Sequence, residues 1–332
     1  MTETTTVRDR LDGSARFIYE PVLDGLDRVI GNLGDLAENS GVPRDMVSHV
    51  VEGGGKLVRP TITLLAGALR QGEEERIVKM ATAVELLHIA SLIHDDTVDH
   101  SEKRRGRATV SRLWGDDMAV LLGDYVFAAS ATFVCDTGNI RVVRRFAETI
   151  MELARGELTE RVSKHDWSQT SADYERRIYD KTASLICTAA ESGGVLSGAP
   201  EEETQALRSF GYNVGMAFQI VDDVLDFTSS EEELGKPVGN DLLQGTLTLP
   251  ALLFAGSHPD EAVVRRLRDG SREESDLTTM VEFIRNSSAI DETMAQLEGY
   301  RNAARAAVAT LPDARARQSL DALVDYLAQR RN

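Results

Sequence analysis

An acidic stretch inside an apolar one decides the fold of this chain: Leu92-Ile93-His94-Asp95-Asp96-Thr97-Val98-Asp99-His100. Residues four apart share one face of an α-helix, so Asp95 and Asp99 are predicted to point the same way. Asp96 lies about 100° further round the helix axis. Large apolar neighbours place these carboxylates beside buried surface, where three negative charges are costly without a compensating cation. The stretch therefore predicts a cation-binding helix.

The same pattern recurs in a second apolar stretch, Phe218-Gln219-Ile220-Val221-Asp222-Asp223-Val224-Leu225-Asp226-Phe227. There Gln219 is predicted to share the face of Asp222 and Asp226. One such cluster alone is as easily a solvated turn or a helix end, but two copies framed by large apolar residues favour metal binding. Ligands that are all oxygen atoms suit a hard cation, Mg²⁺ above all.

Other metal sites fit the sequence poorly. No Cys/His spacing supports zinc. An EF-hand loop that began at Asp95 would need a glycine and a glutamate where His100 and Gly106 stand.

Composition agrees with a helical protein. The chain has 332 residues, of which 42% are hydrophobic and 5% aromatic. Apolar residues recur at three- and four-residue spacing almost throughout and alternating strand patterns are scarce, so we predict an all-α, single-domain helical bundle. The net charge of -17 makes nucleic acid a poor candidate partner. Helices are predicted at roughly 8–36, 43–51, 56–71, 74–101, 115–136, 139–164, 171–197, 201–228, 247–256, 259–269, 274–286, 289–310 and 313–330.

The sequence also predicts a cellular location. Two cysteines, Cys135 and Cys187, make no disulfide framework and fit a reducing compartment. The first ten residues lack the apolar segment of a secretory signal, and no run of about 18 uncharged apolar residues is present to span a membrane. We therefore expect a cytoplasmic protein with no transmembrane segment.

Basic residues gather where an anionic ligand would need them. Lys56 and Arg59 follow a glycine turn at 53–55, and a basic run at 103–107 follows the first acidic cluster. A closely approachable backbone beside a lysine and a fork-shaped guanidinium suits a diphosphate, although the P-loop spacing is missing. His88 lies two helical turns before the first cluster and shares its face, but a lone histidine is as easily an ordinary core or surface residue.

These motifs, in this order, resemble the all-trans polyprenyl diphosphate synthases, the superfamily of the farnesyl and geranylgeranyl diphosphate synthases. Besides the two acidic clusters the resemblance rests on Gly-Gly-Lys-Leu-Val-Arg-Pro (54–60), Arg-Arg-Gly (104–106), Gly-Asp-Tyr (123–125), Gly-Glu (156–157), Lys-Thr (181–182), Gly-Lys-Pro-x-Gly-x-Asp (235–241) and Thr-Leu-Pro (248–250). It implies an isoprenoid synthase bundle with a central active-site cavity. The single domain would span 1–332, with a motif-bearing core at about 45–255 and C-terminal helices at 257–332.

The resemblance implies a role for each matched position. Three Mg²⁺ ions per active site would bridge the allylic diphosphate, and their ligands would be Asp95, Asp96, Asp99, Asp222, Asp223 and Asp226. The allylic diphosphate would be bound by Arg104, Lys181, Thr182, Gln219 and Lys236, and isopentenyl diphosphate by Lys56, Arg59, His88 and Arg105. Thr246 stands where many members carry a lysine, so we assign it no role.

The implied reaction is a prenyl transfer. The allylic diphosphate ionises once its charge is neutralised, the double bond of isopentenyl diphosphate attacks, and proton loss gives a product five carbons longer. The length of the product depends on how much space the helix residues before Asp95 leave for the growing prenyl tail. Ala90 and Ser91 are small where short-chain members carry an aromatic plug, and Leu87 and Val84, one turn deeper, are not aromatic either. We predict a C30–C50 product. If a residue from another helix closed the channel, the chain would instead be a short-chain farnesyl or geranylgeranyl diphosphate synthase.

Two other kinds of protein remain to be weighed. A class I terpene cyclase shares the fold and the first acidic motif, but it would lack the Lys56/Arg59 pair and the complete second motif. A non-catalytic subunit of a heteromeric synthase would usually lose both acidic motifs, which are complete here. A homodimer is expected from the resemblance alone, and the sequence leaves open a peripheral membrane contact during product release.

Overall fold

The structure is a computed structural model that describes residues 13–328 except 40, 54, 71, 231 and 233–236. Helices dominate the described residues, which confirms the all-α prediction. They are α1 Gly13–Tyr19, a 3₁₀ turn Glu20–Val22, α2 Leu23–Asn39, α3 Arg44–Val51, α4 Val58–Gly67, α5 Glu74–Val98, α6 Val110–Trp114, α7 Asp116–Cys135, α8 Ile140–Val162, α9 Ser171–Ile178, a π-helical segment Tyr179–Ala183, α10 Ser184–Leu196, α11 Glu201–Thr228, α12 Asn240–Leu243, α13 Leu249–Ser257, α14 Ala262–Arg268, α15 Glu274–Arg285, α16 Ala289–Ala309 and α17 Arg315–Ala328.

The 3₁₀ turn Glu20–Val22 interrupts the helix predicted over 8–36, and the short helices α6 and α12 were not predicted. Two further departures from the predicted elements concern the candidate site. Strands β1 (Lys103–Arg104) and β2 (Arg107–Ala108) form an antiparallel hairpin where no strand was expected. The helix predicted over 171–197 is interrupted by the π-helical segment at 179–183. Both departures fall on motifs assigned to substrate binding, in keeping with the tendency of π-helical turns to occur at functional sites.

The described residues form two compact units that alternate along the sequence. The first takes its residues from 1–147, 188–208 and 310–322, and the second from 148–187, 209–309 and 323–332. The expectation of a single domain stays a prediction.

Helix α5 is the centre of the first unit and packs against α2, α4 and α7. Its residues 80–84 are fully buried. Glycines allow the neighbouring helices to approach closely: a Cβ on Gly67 of α4 would lie 2.6 Å from Ile77, and one on Gly193 of α10 would lie 2.3 Å from the carbonyl oxygen of Thr63. The first acidic stretch is therefore carried on the C-terminal end of a helix whose preceding turns lie in the core of this unit.

The second unit is built around α11, which carries the second acidic stretch. One apolar cluster packs α12 to α15 around Phe227, Phe254 and Met280. Another surrounds Met216 and Ile220 with residues of α9, α13 and α16. The acidic stretch thus lies between apolar side chains on either side, as its sequence predicts.

Helices α5 and α7 are long and apolar enough to cross a membrane, judged by length and composition alone. In its most apolar window α5 is 72% buried and α7 is 39% buried. The burial of α5 is that of a core helix in a folded unit, so its hydropathy is explained by packing.

Candidate active site

The three aspartates of the first acidic stretch have different environments. Asp95 is half-buried and Asp99, which caps the C-terminus of α5, is exposed. Asp96 is only 6% exposed and accepts a 2.7 Å hydrogen bond from Nε of Arg104. Burial raises the pKa of Asp96, and the Arg104 guanidinium opposes that rise. Asp95 and Asp99 are therefore the more solvent-accessible carboxylates of this stretch, while the middle one holds an arginine.

The hairpin places this arginine and its neighbours. Its turn consists of Arg105 and Gly106, whose φ angles are +50° and +76°, and the first of these is unusual for a residue with a side chain. A two-residue turn with positive φ at both positions matches the twist of a hairpin. Holding a non-glycine residue there costs about 1 kcal/mol or more, a strain often found at functional sites.

An open pocket of about 570 Å³, part of which is open solvent, lies between α3, α5 and the hairpin. His88, Asp96, Arg104 and Arg105 all line it, so the structure brings these four predicted site residues together. Part of its wall is apolar and consists of Val50, Ile89, Leu92, Ile93 and Val110. The pocket therefore combines cationic donors with an apolar surface, as an isoprenoid diphosphate requires.

The remaining two predicted cations of the first unit are nearby in the chain but do not line the pocket. Lys56 is exposed, and its carbonyl oxygen accepts a hydrogen bond from the hydroxyl of Tyr19. Arg59 lies in the first turn of α4. Leu57, the residue that caps the N-terminus of this helix, has a left-handed backbone with a φ of +47°.

Glu85 is a buried pocket residue that the sequence analysis missed. It lines the pocket one helical turn before His88 and is 6% exposed. Burial raises its pKa, while Arg59 and Arg105 act in the opposite direction. The available signal was a lone glutamate inside the apolar run of α5. Its carboxylate faces the two arginines that the sequence analysis assigned to isopentenyl diphosphate.

In the second unit the middle aspartate is again buried, and here Asp226 is buried as well. Asp223 is 2% exposed, and its two carboxylate oxygens accept hydrogen bonds from the hydroxyl of Tyr174 (2.6 Å) and from Nε2 of Gln219 (3.0 Å). Burial raises its pKa to about 7. Gln219 therefore contacts Asp223, one helical turn further along α11.

The hydrogen-bond chain continues to another predicted site residue. The hydroxyl of Thr182 donates to Oε1 of Gln219 at 2.9 Å. Asp222 is half-buried, and buried Asp226 accepts a 3.1 Å bond from the backbone N–H of Asp241. Of the second cluster, Asp222 is the aspartate with the most accessible carboxylate.

Lys181 lies in the π-helical segment and is held by two carboxylates of α8. Its Nζ is 2.9 Å from Glu157 and 2.6 Å from Glu160. Burial disfavours its charged form, but Glu160 and Glu157 outweigh that effect and raise its pKa. A Cβ on Gly156 would lie 2.6 Å from the backbone nitrogen of Lys181, so this glycine is needed for the close approach. The Gly-Glu motif (156–157) and the Lys-Thr motif (181–182) therefore pack directly against each other and share an ion pair.

The other predicted residues are placed as follows. Lys236 lies outside the described residues. Val84, Leu87 and Ala90 are buried, and half-buried Ser91 donates a 2.9 Å hydrogen bond to the carbonyl oxygen of His88. Within the described parts of the chain, no three Asp, Glu, His or Cys side chains are gathered into a ready-made metal site. The accessible donors are nevertheless carboxylate oxygens, which suit Mg²⁺ shared with a diphosphate.

Comparisons with known proteins show the family of this chain. The polyprenyl synthetase family pattern matches residues 42–284. The chain is 40% identical to heptaprenyl diphosphate synthase component 2 of Bacillus subtilis (strain 168) over 85% of this chain and 81% of the relative. The crystal structure of a decaprenyl diphosphate synthase from Rhodobacter capsulatus superposes with a TM-score of 0.87 at 35% identity, over 96% of this chain and 99% of that one.

A further solved structure is informative because of its ligands. It is a polyprenyl synthase from Caulobacter crescentus CB15 complexed with calcium and isoprenyl diphosphate, with a TM-score of 0.87 and 33% identity over 97% of this chain and 100% of that one. Fold and site together define an isoprenoid-type prenyltransferase. The chain belongs to the polyprenyl synthetase family.

Proposed function

We propose that this chain condenses an allylic diphosphate with isopentenyl diphosphate in consecutive steps and releases an all-trans polyprenyl diphosphate of 30 to 50 carbons. The pocket beside α5 carries this proposal. His88, Arg104 and Arg105 supply donors for phosphate oxygens, while Ile89 and Leu92 supply an apolar wall. Such a wall excludes water, which would otherwise trap the allylic cation.

The residues divide into two diphosphate subsites. Isopentenyl diphosphate would be held by Lys56, Arg59, His88 and Arg105, and the allylic diphosphate by Arg104, Lys181, Thr182, Gln219 and Lys236. Positioned cations and hydrogen-bond donors of this kind stabilise the charge that develops on the leaving diphosphate. The hydroxyl–amide–carboxylate chain from Thr182 to Asp223 fixes the orientation of the Gln219 side chain.

Asp95, Asp99, Asp222 and Asp226 are the proposed ligands of Mg²⁺, of which we propose three per active site. When bound, the metal supplies Lewis-acid stabilisation of the departing diphosphate. Asp96 and Asp223 instead hold Arg104 and Gln219. Support for a divalent metal comes from the calcium in the Caulobacter crescentus structure and from the all-oxygen donor set.

The proposed product length rests on the relatives and on small side chains. The Bacillus subtilis and Rhodobacter capsulatus proteins are named for heptaprenyl and decaprenyl diphosphate. Val84, Leu87, Ala90 and Ser91 of α5 offer no aromatic ring to stop a growing tail.

Product analysis tests this function. The purified chain is incubated with farnesyl diphosphate, radiolabelled isopentenyl diphosphate and Mg²⁺, and the dephosphorylated products are separated by reversed-phase chromatography. We expect C30–C50 alcohols, and a product that stops at C20 would contradict the long-chain proposal. Ser91→Phe and Ala90→Phe should shorten the product. Ala295→Phe, the same kind of change on an exposed face of α16, should leave its length unchanged.

The name of the Bacillus subtilis relative, component 2, favours a second candidate: the catalytic component of an enzyme that requires another protein. The complete acidic motifs fit a catalytic rather than a modulatory component. If the chain alone gives no condensation and adding the relative's other component restores it, this second candidate is correct. Full activity of the chain alone would exclude it.

We also propose a homodimer in the cytoplasm. Exposed apolar side chains lie at Trp114, the last residue of α6, and at Met118 and Leu121 in the first turns of α7, and we call them the apolar stripe; Leu121 is 62% exposed. Side chains of this type at three- and four-residue spacing are characteristic of a helix face that packs against a partner. The same stripe is a candidate for peripheral membrane contact during product release.

A further inference from the structure

His49 on α3 has a defined protonation pattern set by its two neighbours. Its Nε2 lies 2.8 Å from the carbonyl oxygen of Ala108, and its Nδ1 lies 3.0 Å from Nη2 of Arg107. A carbonyl only accepts and a guanidinium only donates, so Nε2 carries the proton and Nδ1 accepts. The ring also packs against Trp114 in a T-shaped arrangement, with the two ring centroids 5.4 Å apart. This neutral imidazole therefore connects α3 to strand β2 and fixes the Arg107 side chain.

Arg107 and Arg105 lie against the same glycine turn. A Cβ on Gly55 would be 2.8 Å from Nη1 of Arg105, and one on Gly53 would be 3.6 Å from Nη1 of Arg107. A Cβ at the first of these positions would displace the end of the Arg105 side chain, so the glycine allows the guanidinium to lie there. Both guanidinium groups line the pocket beside α5, as do His49 and Gly53.

The pairing of the hairpin adds a second observation. Arg104 and Arg107 are directly opposite each other on the two strands. Like charges in that position destabilise a hairpin. Arg104 is accommodated by the carboxylate of Asp96, whereas Arg107 is held by the uncharged ring of His49. The positive charge of Arg107 is therefore not neutralised by that contact and remains available for an anion.

We propose that Arg107 is an additional ligand of the isopentenyl diphosphate phosphates and that His49 is the residue that positions it. The inference rests on the proposed prenyltransferase function and extends it. The isopentenyl subsite is favoured over the allylic one because Arg107 lies with Arg105 on the glycine turn that precedes Lys56 and Arg59. Arg104, the allylic candidate of the hairpin, is directed instead to Asp96.

The test separates the two substrates. Steady-state kinetics are measured with each substrate varied in turn, and binding of isopentenyl diphosphate alone is measured by isothermal titration calorimetry. Arg107→Gln should raise KM for isopentenyl diphosphate and weaken its binding by about tenfold or more, as expected for a lost charge-assisted hydrogen bond. KM for the allylic diphosphate should change less than about twofold. Arg107→Lys should bind isopentenyl diphosphate with intermediate affinity, because lysine keeps the positive charge but cannot donate two parallel hydrogen bonds to a phosphate.

His49 is tested by its dependence on Arg107. His49→Leu should raise KM for isopentenyl diphosphate, whereas His49→Gln should retain binding, because its amide can still donate to Ala108 and accept from Arg107. In the Arg107→Gln background His49→Leu should have little further effect, since a residue that acts through Arg107 is coupled to it. Arg112→Gln removes a nearby exposed charge outside the pocket and is the matched control.

Three outcomes would each contradict a different part of this inference. An unchanged isopentenyl diphosphate affinity in Arg107→Gln, or a rise in the allylic KM instead, would overturn the assignment of Arg107. Additive effects of the His49 and Arg107 variants would overturn the positioning role. A wild-type chain that neither binds isopentenyl diphosphate nor condenses it would contradict the proposed function itself.

Discussion

At the scale of single residues, the two acidic motifs share one design. The second aspartate of each is buried and holds a side chain assigned to the allylic diphosphate: Asp96 holds Arg104, and Asp223 holds Gln219. The first aspartate of each, Asp95 or Asp222, remains half-buried and more accessible. Because both oxygens of Asp223 already accept hydrogen bonds, we expect Asp223 to hold Gln219 in place and the more accessible Asp222 to bind the metal.

The two roles can be separated by their Mg²⁺ dependence. Asp222→Asn should raise the Mg²⁺ concentration for half-maximal activity by about tenfold, because Mg²⁺ depends strongly on carboxylate ligands. Asp223→Asn should lower kcat but leave that Mg²⁺ concentration within about twofold. Tyr174→Phe should likewise lower kcat without changing the Mg²⁺ dependence. Equal shifts in Mg²⁺ dependence for the Asp222 and Asp223 variants would contradict the distinction.

The sequence alone could place the aspartates on helices but could not say which of them are buried. Helical spacing puts Asp95 with Asp99 and Asp222 with Asp226, yet the direction of each face depends on partners far away in the chain. Tyr174 is 49 residues from Asp223, and His49 is 58 from Arg107. Such contacts leave no local periodicity, so these partners became visible only in the folded structure.

At the scale of secondary-structure elements, long periodic helices were predictable and short irregular ones were not. Helix α11 spans 201–228 as expected, because its apolar spacing is continuous over 28 residues. The hairpin strands have two residues each, too few for an alternating pattern to be recognised, and three of the four are charged. The π-helical segment at 179–183 differs from an α-helix by hydrogen-bond register, which apolar spacing does not resolve.

The close packing of α10 against α4 gives a stability prediction. Gly193→Ala should lower the free energy of unfolding by about 1–3 kcal/mol, because its Cβ would meet the carbonyl oxygen of Thr63 at 2.3 Å. Gly299→Ala, on the exposed face of α16 with no atom within 4 Å of its Cβ, should raise it by about 0.5–1 kcal/mol. Urea denaturation followed by circular dichroism measures both, and equal effects would refute the packing argument.

At the scale of the whole molecule, the apolar stripe on α6 and α7 leads to an expectation about assembly. We expect a sedimenting species of twice the chain mass of 36.4 kDa at micromolar concentration. Leu121→Glu should shift the population toward monomer, because it puts a charge into the buried face of the dimer. Met294→Glu, at an exposed position of α16, is the control and should leave the proportion of dimer unchanged. Analytical ultracentrifugation decides, and a monomeric wild-type chain would contradict the homodimer.

The ion pairs of the site have a kinetic consequence. Arg104 is matched by Asp96, and Lys181 by Glu157 and Glu160, so these cations add little long-range attraction before a substrate arrives. The chain as a whole, at -17, repels free diphosphates. In about 0.1 M salt that repulsion is screened beyond roughly 10 Å. Diffusional capture of substrate is therefore not steered from a distance, and selection for a diphosphate begins only at the mouth of the pocket.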